Sequence, residues 1–309
     1  MAEISAKMVK DLREMTGAGM MDCKKALVET QGNMDEAVEY LRKKGQAKAE
    51  KKASRVAAEG ICRIAVKDNS AAVVEVNSET DFVAKNEKFQ TFVEQVADVI
   101  VQGDYADVDA LLAAPFTDAN TVQEALVEKI ATIGEKLSIR RFEKITAENG
   151  CVVTYTHGGG RIGVIVEAAT DVVNDAVKEA LSNVAMQVAA LYPKYVSRDE
   201  IGQDFIDHER EIILAQIMQD EKQSQKPANV IDGIVNGRVN KELKEICLLD
   251  QIYVKAEDGK QTVAQYLAQV AKENSANLSI KRFVRFETGE GLEKKSENFA
   301  AEVAAQMNA

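Results

Sequence analysis

An internal repeat constrains the fold of this chain more than any other feature. Residues 137–142 read LSIRRF, and residues 278–283 read LSIKRF. Upstream of each copy, a strand-like run ends in a Thr-Asp pair, at residues 80–81 and 170–171, and a helix-like run follows. A repeated order of elements indicates two related half-domains, each a short β-meander with helices that a late strand closes. The sequence therefore predicts an α+β fold with a duplicated core.

The first Thr-Asp pair begins the segment Thr80, Asp81, Phe82 and Val83, at a strand-to-helix turn where side chains can project toward a partner. In the alternative interpretation, Thr80 or Asp81 is a helix N-cap and Phe82 folds back as an apolar staple. Both repeats have the Thr-Asp pair, which favours a capping role in both. The second repeat has Val172 in place of Phe82, so the first turn is the better candidate for a specialised site.

Runs rich in β-branched and aromatic residues, bounded by turn residues, predict the strands. The predicted strands are residues 60–66, 71–76, 137–142, 151–156, 162–167 and 278–286. The predicted divisions of the chain are a three-helix docking domain (1–45), a helical linker (46–58), the first core repeat (59–145), the second core repeat (146–198 and 245–286), an inserted antiparallel helical hairpin (199–244) and a C-terminal module (287–309).

The N-terminal helical unit is too small for a large core and is better suited to docking than to housing an active site. Met20 and Met21 lie on the first turn of its second helix. Flexible thioethers at that position favour an adaptable contact surface. Filling of the module's own core is the other interpretation of the two methionines.

The charge distribution narrows the class of partner. A net charge of −11 disfavours a general nucleic-acid binder, which needs a cationic face. The first 60 residues differ from the rest, with 12 Lys and Arg against 10 Asp and Glu and a basic run at residues 43–55. Isolated charge runs usually face water, so this run predicts a solvated helical linker. An RNA-binding surface is the alternative.

Composition excludes several other classes. The 309 residues contain no apolar run of about 18 residues, so no membrane span is expected. The start of the chain has the pattern of neither a signal peptide nor a transit peptide. Cys23, Cys62, Cys151 and Cys247 are far apart, which predicts reduced, buried thiols in a cytoplasmic protein rather than a metal site.

The sequence lacks the residue groups of common enzyme sites. His157 and His208 are the two histidines, and neither is near a nucleophile or carboxylate that would complete an acid/base set. The glycines at 158–160 precede a strand, whereas phosphate-binding loops open a helix. A hairpin turn is the expected structure there. The chain is therefore predicted to be a binding protein, not an enzyme, with no cofactor or metal.

Three motifs, in the same order along the chain, closely resemble those of the bacterial translation elongation factor Ts family. They are residues 16–27 (TGAGMMDCKKAL), residues 80–86 (TDFVAKN), and residues 157–163 (HGGGRIG) followed by 289–291 (GEG). The resemblance runs through essentially the whole chain. It implies a ubiquitin-associated-like helical domain, a duplicated core, an inserted coiled-coil hairpin and a C-terminal helical module.

The resemblance implies a guanine-nucleotide exchange factor for elongation factor Tu, the GTPase that delivers aminoacyl-tRNA. In the family, the loop that matches Thr80, Asp81, Phe82 and Val83 enters the partner's nucleotide domain and disturbs its magnesium and phosphate site. The residues implied in further partner contacts are Arg13, Met20, Met21, His157, Phe299 and Val303.

Two alternatives come from other functional classes. One is the RNA-binding protein described above. The other is a scaffold in which the helical hairpin is the functional element and the turn at Thr80 is only a cap. A homodimer formed through the hairpin is compatible with either the exchange factor or the scaffold.

Overall fold

The computed structural model describes residues 4–293, and two antiparallel β-sheets form its centre. The fold is α+β, as predicted. Each sheet has three strands and carries helices on its outer face, while the inner faces pack on each other. The buried contacts between the sheets come from Cys62, Ala71, Val73, Ile145 and Ile165. Within residues 4–293, no helix is long and apolar enough to cross a membrane.

Three helices form the N-terminal part of the structure. They are α1 (Ala6–Thr16), α2 (Met20–Glu29) and α3 (Met34–Lys52). Ser5 caps α1 by accepting the N–H of Met8, and Asn33 caps α3. Their shared core is small, as expected for so short a segment. It consists of Val9, Leu12, Cys23, Ala26, Leu27 and Ala37.

Helix α3 corrects the predicted boundary between the docking domain (1–45) and the linker (46–58). The helix continues without a break to Lys52, because residues 46–52 are good helix formers. Gly45 is buried in its middle, where a Cβ would lie 3.3 Å from the Cβ of Ala131. The small residue lets α3 pack closely on a helix of the first core half, so residues 46–52 belong to a packed helix rather than to a separate linker.

The first core half, residues 59–146, contains the sheet β1–β2–β5. Its elements are β1 (Glu59–Lys67), β2 (Ser70–Ser78), α4 (Asp81–Ala84), α5 (Glu87–Gln102), α6 (Val108–Leu112), β3 (Pro115–Phe116), β4 (Ala119–Thr121), α7 (Val122–Ile133) and β5 (Ser138–Thr146). The apolar face of α5 covers the sheet, with Phe89, Phe92 and Val96 fully buried.

The second core half begins at residue 151 and contains the sheet β6–β7–β8. Its elements, with the inserted hairpin, are β6 (Cys151–His157), β7 (Ile162–Thr170), α8 (Asp175–Leu191), α9 (Gln203–Gln219), α10 (Ala228–Ile246), α11 (Val263–Glu273) and β8 (Leu278–Glu287). Helices α9 and α10 pack through a seam of their own. The buried seam residues are Ile213, Ile217, Val235, Val239 and Leu243.

The two sheets have the same connectivity and the same irregularity. All six strands predicted from the sequence are present, and in each half the late strand pairs with the second strand of the meander. Glu75 of β2 is opposite Arg141 of β5, and Glu167 of β7 is opposite Arg282 of β8. A β-bulge follows each of the two glutamates. The sequence repeat therefore corresponds to a repeat in strand register.

The four cysteines are buried and free, as predicted for reduced thiols. Burial raises the pKa of each thiol, and that of Cys62 to about 11. Such thiols stay protonated and unreactive at neutral pH. They contribute as small apolar side chains to the cores.

Candidate functional site

The Thr80 turn, residues 79–83, connects β2 to α4. Thr80 is the N-cap of α4, and its hydroxyl oxygen accepts the N–H of Val83 at 3.4 Å. The predicted cap is confirmed. Val83 packs against the core of the first half. Phe82, on the outer side of this single helical turn, is 81% exposed, so the interpretation of Phe82 as a folded-back staple is wrong.

Asp81 lies beside Phe82 on the outer side of the Thr80 turn. Its carboxylate pairs with the ammonium of Lys85 at 2.6 Å, an exposed i,i+4 pair. The hydrogen bond from Lys85 lowers the pKa of Asp81, so the carboxylate is ionised at neutral pH. An exposed pair of this kind is weak, and a partner can displace Lys85 at little cost. The turn thus presents an anionic and a large apolar group side by side.

Glu135, which precedes β5, fixes the backbone of the Thr80 turn. One carboxylate oxygen accepts the N–H groups of Glu79 and Thr80 at 3.1 and 3.0 Å. The other oxygen accepts the Thr80 hydroxyl at 2.7 Å. Sequence analysis missed Glu135, although it lies two residues before the repeated motif and has a different counterpart, Ala276, in the second half.

The second half uses its Thr-Asp pair differently, which corrects the predicted capping role there. Helix α8 begins later, at Asp175, and Asn174 is its N-cap. Asp171 instead accepts the backbone N–H of Asn277 at 2.7 Å and its side-chain amide at 2.6 Å. The Asp171 carboxylate thus holds the segment that enters β8, while the capping of α8 is done by Asn174.

The other predicted contact residues lie on separate elements. Arg13, near the end of α1, and Met20 and Met21, at the start of α2, are exposed. The two methionines are 57% and 74% accessible, so the interpretation that they fill the core is wrong. Phe299 and Val303 lie outside the described residues 4–293.

His157 ends β6 at the tip of the β6–β7 hairpin, where it is exposed. Its Nδ1 lies 3.0 Å from the Tyr155 hydroxyl, and the two rings stack. The glycines at 158–160 form the predicted hairpin turn. This turn is held against the first half, because the Gly160 carbonyl accepts the N–H of Cys62 at 2.6 Å.

The Gly289-Glu290-Gly291 motif joins the two sheets. The Gly289 N–H donates to the carboxylate of Glu75 at 2.8 Å. Glu75 is fully buried and also pairs with Arg140 at 3.1 Å and Arg141 at 2.6 Å. Gly289 has φ 74°, and a Cβ there would lie 2.1 Å from the Ala58 carbonyl oxygen, so glycine is required. This motif has a structural role that sequence analysis did not assign.

The basic run at residues 43–55 makes contacts within the molecule. Lys44 and Lys48 pair with Asp22 at 2.6 and 2.9 Å, and their hydrogen bonds lower the pKa of this carboxyl group. Lys52 donates to the carbonyl of Gly134, and Arg55 pairs with Glu79. The predicted helix is present as far as Lys52, and Lys43 and Lys51 are exposed as predicted. Lys44, Lys48 and Lys52, in contrast, are not free in solvent but hold α3 to its neighbours. The same contacts weaken the argument for an RNA-binding surface.

A family model and individual relatives both show the same family for this chain. The sequence model of the family described as "Elongation factor TS" matches residues 79–290, which begin at the Thr80 turn and end at Glu290. The elongation factor Ts of Clostridioides difficile (strain 630) is 52% identical over 309 residues, covering 99% of this chain and 100% of the relative. The chain belongs to the elongation factor Ts family.

Further elongation factor Ts sequences extend the same similarity. That of Trichlorobacter lovleyi is 49% identical over 98% of this chain and 98% of its own length. That of Clostridium botulinum (strain Eklund 17B) is 48% identical over 98% of this chain and 99% of its own length. Both alignments therefore extend well beyond the region that the family model matches. Membership of the elongation factor Ts family gives the chain a role in translation elongation.

Proposed function

We propose that this protein is a guanine-nucleotide exchange factor that promotes GDP release from elongation factor Tu during polypeptide elongation. The observation that carries the proposal is the exposed Phe82 on a backbone-fixed turn, in a chain of the elongation factor Ts family. Large apolar side chains that remain exposed beside a charged group are typical of partner-binding sites. The protein acts by binding and not by catalysing a chemical reaction.

The two outward side chains of the turn have complementary effects. Phe82 inserts as an apolar wedge, and its burial supplies about 1.5 to 3 kcal/mol. Asp81 brings a negative charge toward a nucleotide site organised by magnesium and phosphates. Loss of the magnesium contacts removes a large electrostatic share of nucleotide affinity. Together they displace the magnesium and disturb the phosphate site.

The proposal requires a reciprocal thermodynamic coupling, which calorimetry can measure. If this chain weakens GDP binding to elongation factor Tu, then GDP must weaken binding of this chain by the same factor. We expect a lower affinity for GDP-bound than for nucleotide-free elongation factor Tu, by about 5- to 150-fold. Equal affinities for both forms would rule out nucleotide exchange by this chain.

Partner contacts outside the turn supply most of the affinity in this proposal. The N-terminal helices are a ubiquitin-associated-like docking module that binds through Arg13, Met20 and Met21. His157 contacts a second domain of the partner. Phe299 and Val303, which lie outside the described residues 4–293, add a further contact. In this proposal, the core that carries the Thr80 turn and His157 consists of two copies of one α+β unit.

Replacing Met20 and Met21 together by Ala should weaken partner binding without unfolding the N-terminal helices. The exposed thioethers contribute little to the core but much to a docking surface. We expect about a tenfold loss of affinity in a titration with elongation factor Tu, and an unchanged melting temperature. A matched control is Met218→Ala on the hairpin, which is also exposed. A fall in melting temperature with unchanged affinity would contradict the docking role.

The isolated chain should not bind guanine nucleotide. Residues 4–293 contain no group of three or more His, Cys, Asp and Glu side chains placed to hold a metal ion. The chain also lacks a GxxxxGK[ST] phosphate-binding sequence. Equilibrium dialysis with labelled GDP and magnesium should show no binding at micromolar nucleotide. Retention of GDP at that concentration would contradict exchange by binding alone.

The role of the α9–α10 hairpin is a separate proposal. Its seam is filled by its own side chains, while Leu214 and Met218 of α9 are exposed. We propose that the hairpin can mediate a homodimer and that the protein works in the cytoplasm, where elongation takes place. Deleting residues 199–244 should change the sedimentation behaviour but leave much of the exchange activity. A scaffold that functions through the hairpin would lose its function in the same variant.

A further inference from the structure

The contacts of Glu135 replace strand pairing at the place where the first sheet ends. Strands β2 and β5 pair as far as Asn77 and Ser138. Beyond that pair, the backbone N–H groups of Glu79 and Thr80 bind the Glu135 carboxylate instead of a strand. A charged acceptor forms stronger hydrogen bonds than a neutral carbonyl oxygen. The turn is thereby fixed although the sheet has ended.

The carboxylate of Glu79 makes a similar hydrogen bond in the opposite direction, to the segment that contains Glu135. Glu79 accepts the backbone N–H of Lys136 at 2.6 Å and pairs with Arg55 at 3.2 Å. Each segment thus donates backbone N–H groups to a glutamate of the other segment. Since Glu79 and Glu135 are partly buried, these hydrogen bonds are less exposed to competition from water.

In the second half, the position that corresponds to Glu135 has no glutamate, and the connection to the Thr-Asp turn is made differently. Ala276 is the counterpart of Glu135, and Asn277 is the counterpart of Lys136. There the connection is made by Asp171, the counterpart of Asp81, which binds the backbone and side chain of Asn277. In the first half Glu135 makes the connection, so Asp81 is free to turn outward toward Lys85.

We propose that Glu135 is a positioning residue of the Thr80 turn, which holds Thr80 so that Asp81 and Phe82 face the partner. This inference rests on the proposed exchange function. A binding group that is already ordered before association avoids the entropy cost of being ordered in the complex. Support from neighbouring hydrogen bonds also fixes the direction in which the group enters its site. Because contacts outside the turn supply most of the affinity in the proposed function, a misplaced turn lowers the rate of GDP release more than it lowers the affinity for elongation factor Tu.

The first test measures GDP release from elongation factor Tu as a function of the concentration of this chain. For Glu135→Ala we expect the rate at saturation to fall about tenfold, since small misplacements at a working site can cost up to about 100-fold. The half-saturating concentration should change much less. Glu135→Gln should restore most of the rate, because its amide oxygen can accept both backbone N–H groups. Glu148→Ala removes an exposed carboxylate from the turn between β5 and β6 and is the matched control.

The second test separates positioning from general stability. If Glu135 acts through Phe82, adding Glu135→Ala to Phe82→Ala should cause little further loss of rate, because coupled residues are not additive. Losses that multiply would overturn the inference, as would a wild-type rate for Glu135→Ala. If circular dichroism shows that Glu135→Ala is unfolded, Thr80→Val, which removes the hydroxyl bound by Glu135, replaces it in both comparisons.

Hydrogen exchange in the free chain tests positioning independently of the partner. The amides of Glu79 and Thr80 should exchange faster in Glu135→Ala than in Glu135→Gln or wild type, because their acceptor is lost. If these amides exchange hydrogen at the wild-type rate in Glu135→Ala, the inference is overturned, even if that variant no longer accelerates GDP release. Conversely, a wild-type chain that does not accelerate GDP release would refute the proposed function, whatever the amide exchange shows.

Discussion

Replacing Phe82 by Ala is expected to slow GDP release from elongation factor Tu by about 10- to 100-fold at saturating concentration, because the wedge contributes about 1.5 to 3 kcal/mol on burial. The affinity should fall less, since the contacts outside the Thr80 turn persist. Phe82 is mostly exposed in the free protein, so the melting temperature should not change. Stopped-flow fluorescence with labelled GDP measures the rate.

Two companion variants make the Phe82 result specific. Val172→Phe places an aromatic side chain at the corresponding position of the second half and should leave the rate unchanged, because Asp171 holds that segment inward. Asp81→Ala should slow release most at high magnesium, where the metal competes hardest for its site. A wild-type rate for Phe82→Ala would show that the wedge mechanism is wrong.

Replacing Glu75 by Ala is expected to lower the free energy of unfolding by about 3 to 5 kcal/mol, the usual cost of breaking a buried ion pair by removal of one partner. Glu75 is fully buried and binds Arg140, Arg141 and the N–H of Gly289. Without it, two guanidinium groups lose their shared carboxylate between the sheets. Urea denaturation followed by circular dichroism measures the loss.

Glu167→Ala is the matched control for Glu75, because it removes the corresponding glutamate of the second half. Glu167 pairs with Arg282, whose side chain is about half exposed, so water can solvate the released cation. We expect a loss of about 1 to 2 kcal/mol for this variant. Equal losses for the two variants would contradict a special role of the Glu75 cluster in joining the halves.

Local sequence patterns predicted much of the fold. The alternating β-branched runs gave all six long strands, and the repeated LSIRRF and LSIKRF motifs identified the strand that closes each sheet. Comparison of the two repeats also indicates Phe82 as a specialised residue, because the second repeat has Val172 at that position. These signals depend on residues close together in the chain, or on a comparison between two copies of one pattern.

Features that depend on distant residues could not be predicted in this way. Glu135 lies 55 residues from Thr80, and Gly289 lies 214 residues from Glu75. Nothing in the local sequence shows that the Glu135 carboxylate accepts the N–H of Thr80, or that the N–H of Gly289 donates to Glu75. The inward role of Asp171 was missed for the same reason, since its partner, Asn277, is 106 residues away. The packing of α3 on the first core half was missed as well, because Gly45 and Ala131 are also far apart in the sequence.

The central claim is that this chain accelerates release of GDP from elongation factor Tu through the Thr80 turn. The most direct measurement is stopped-flow release of fluorescent GDP from elongation factor Tu, chased with excess unlabelled GDP, with and without saturating chain. The account predicts at least about tenfold faster release with the chain, since loss of the Phe82 wedge alone is expected to slow release by about 10- to 100-fold. Release at the intrinsic rate, under conditions where the chain is shown to be bound, would contradict it.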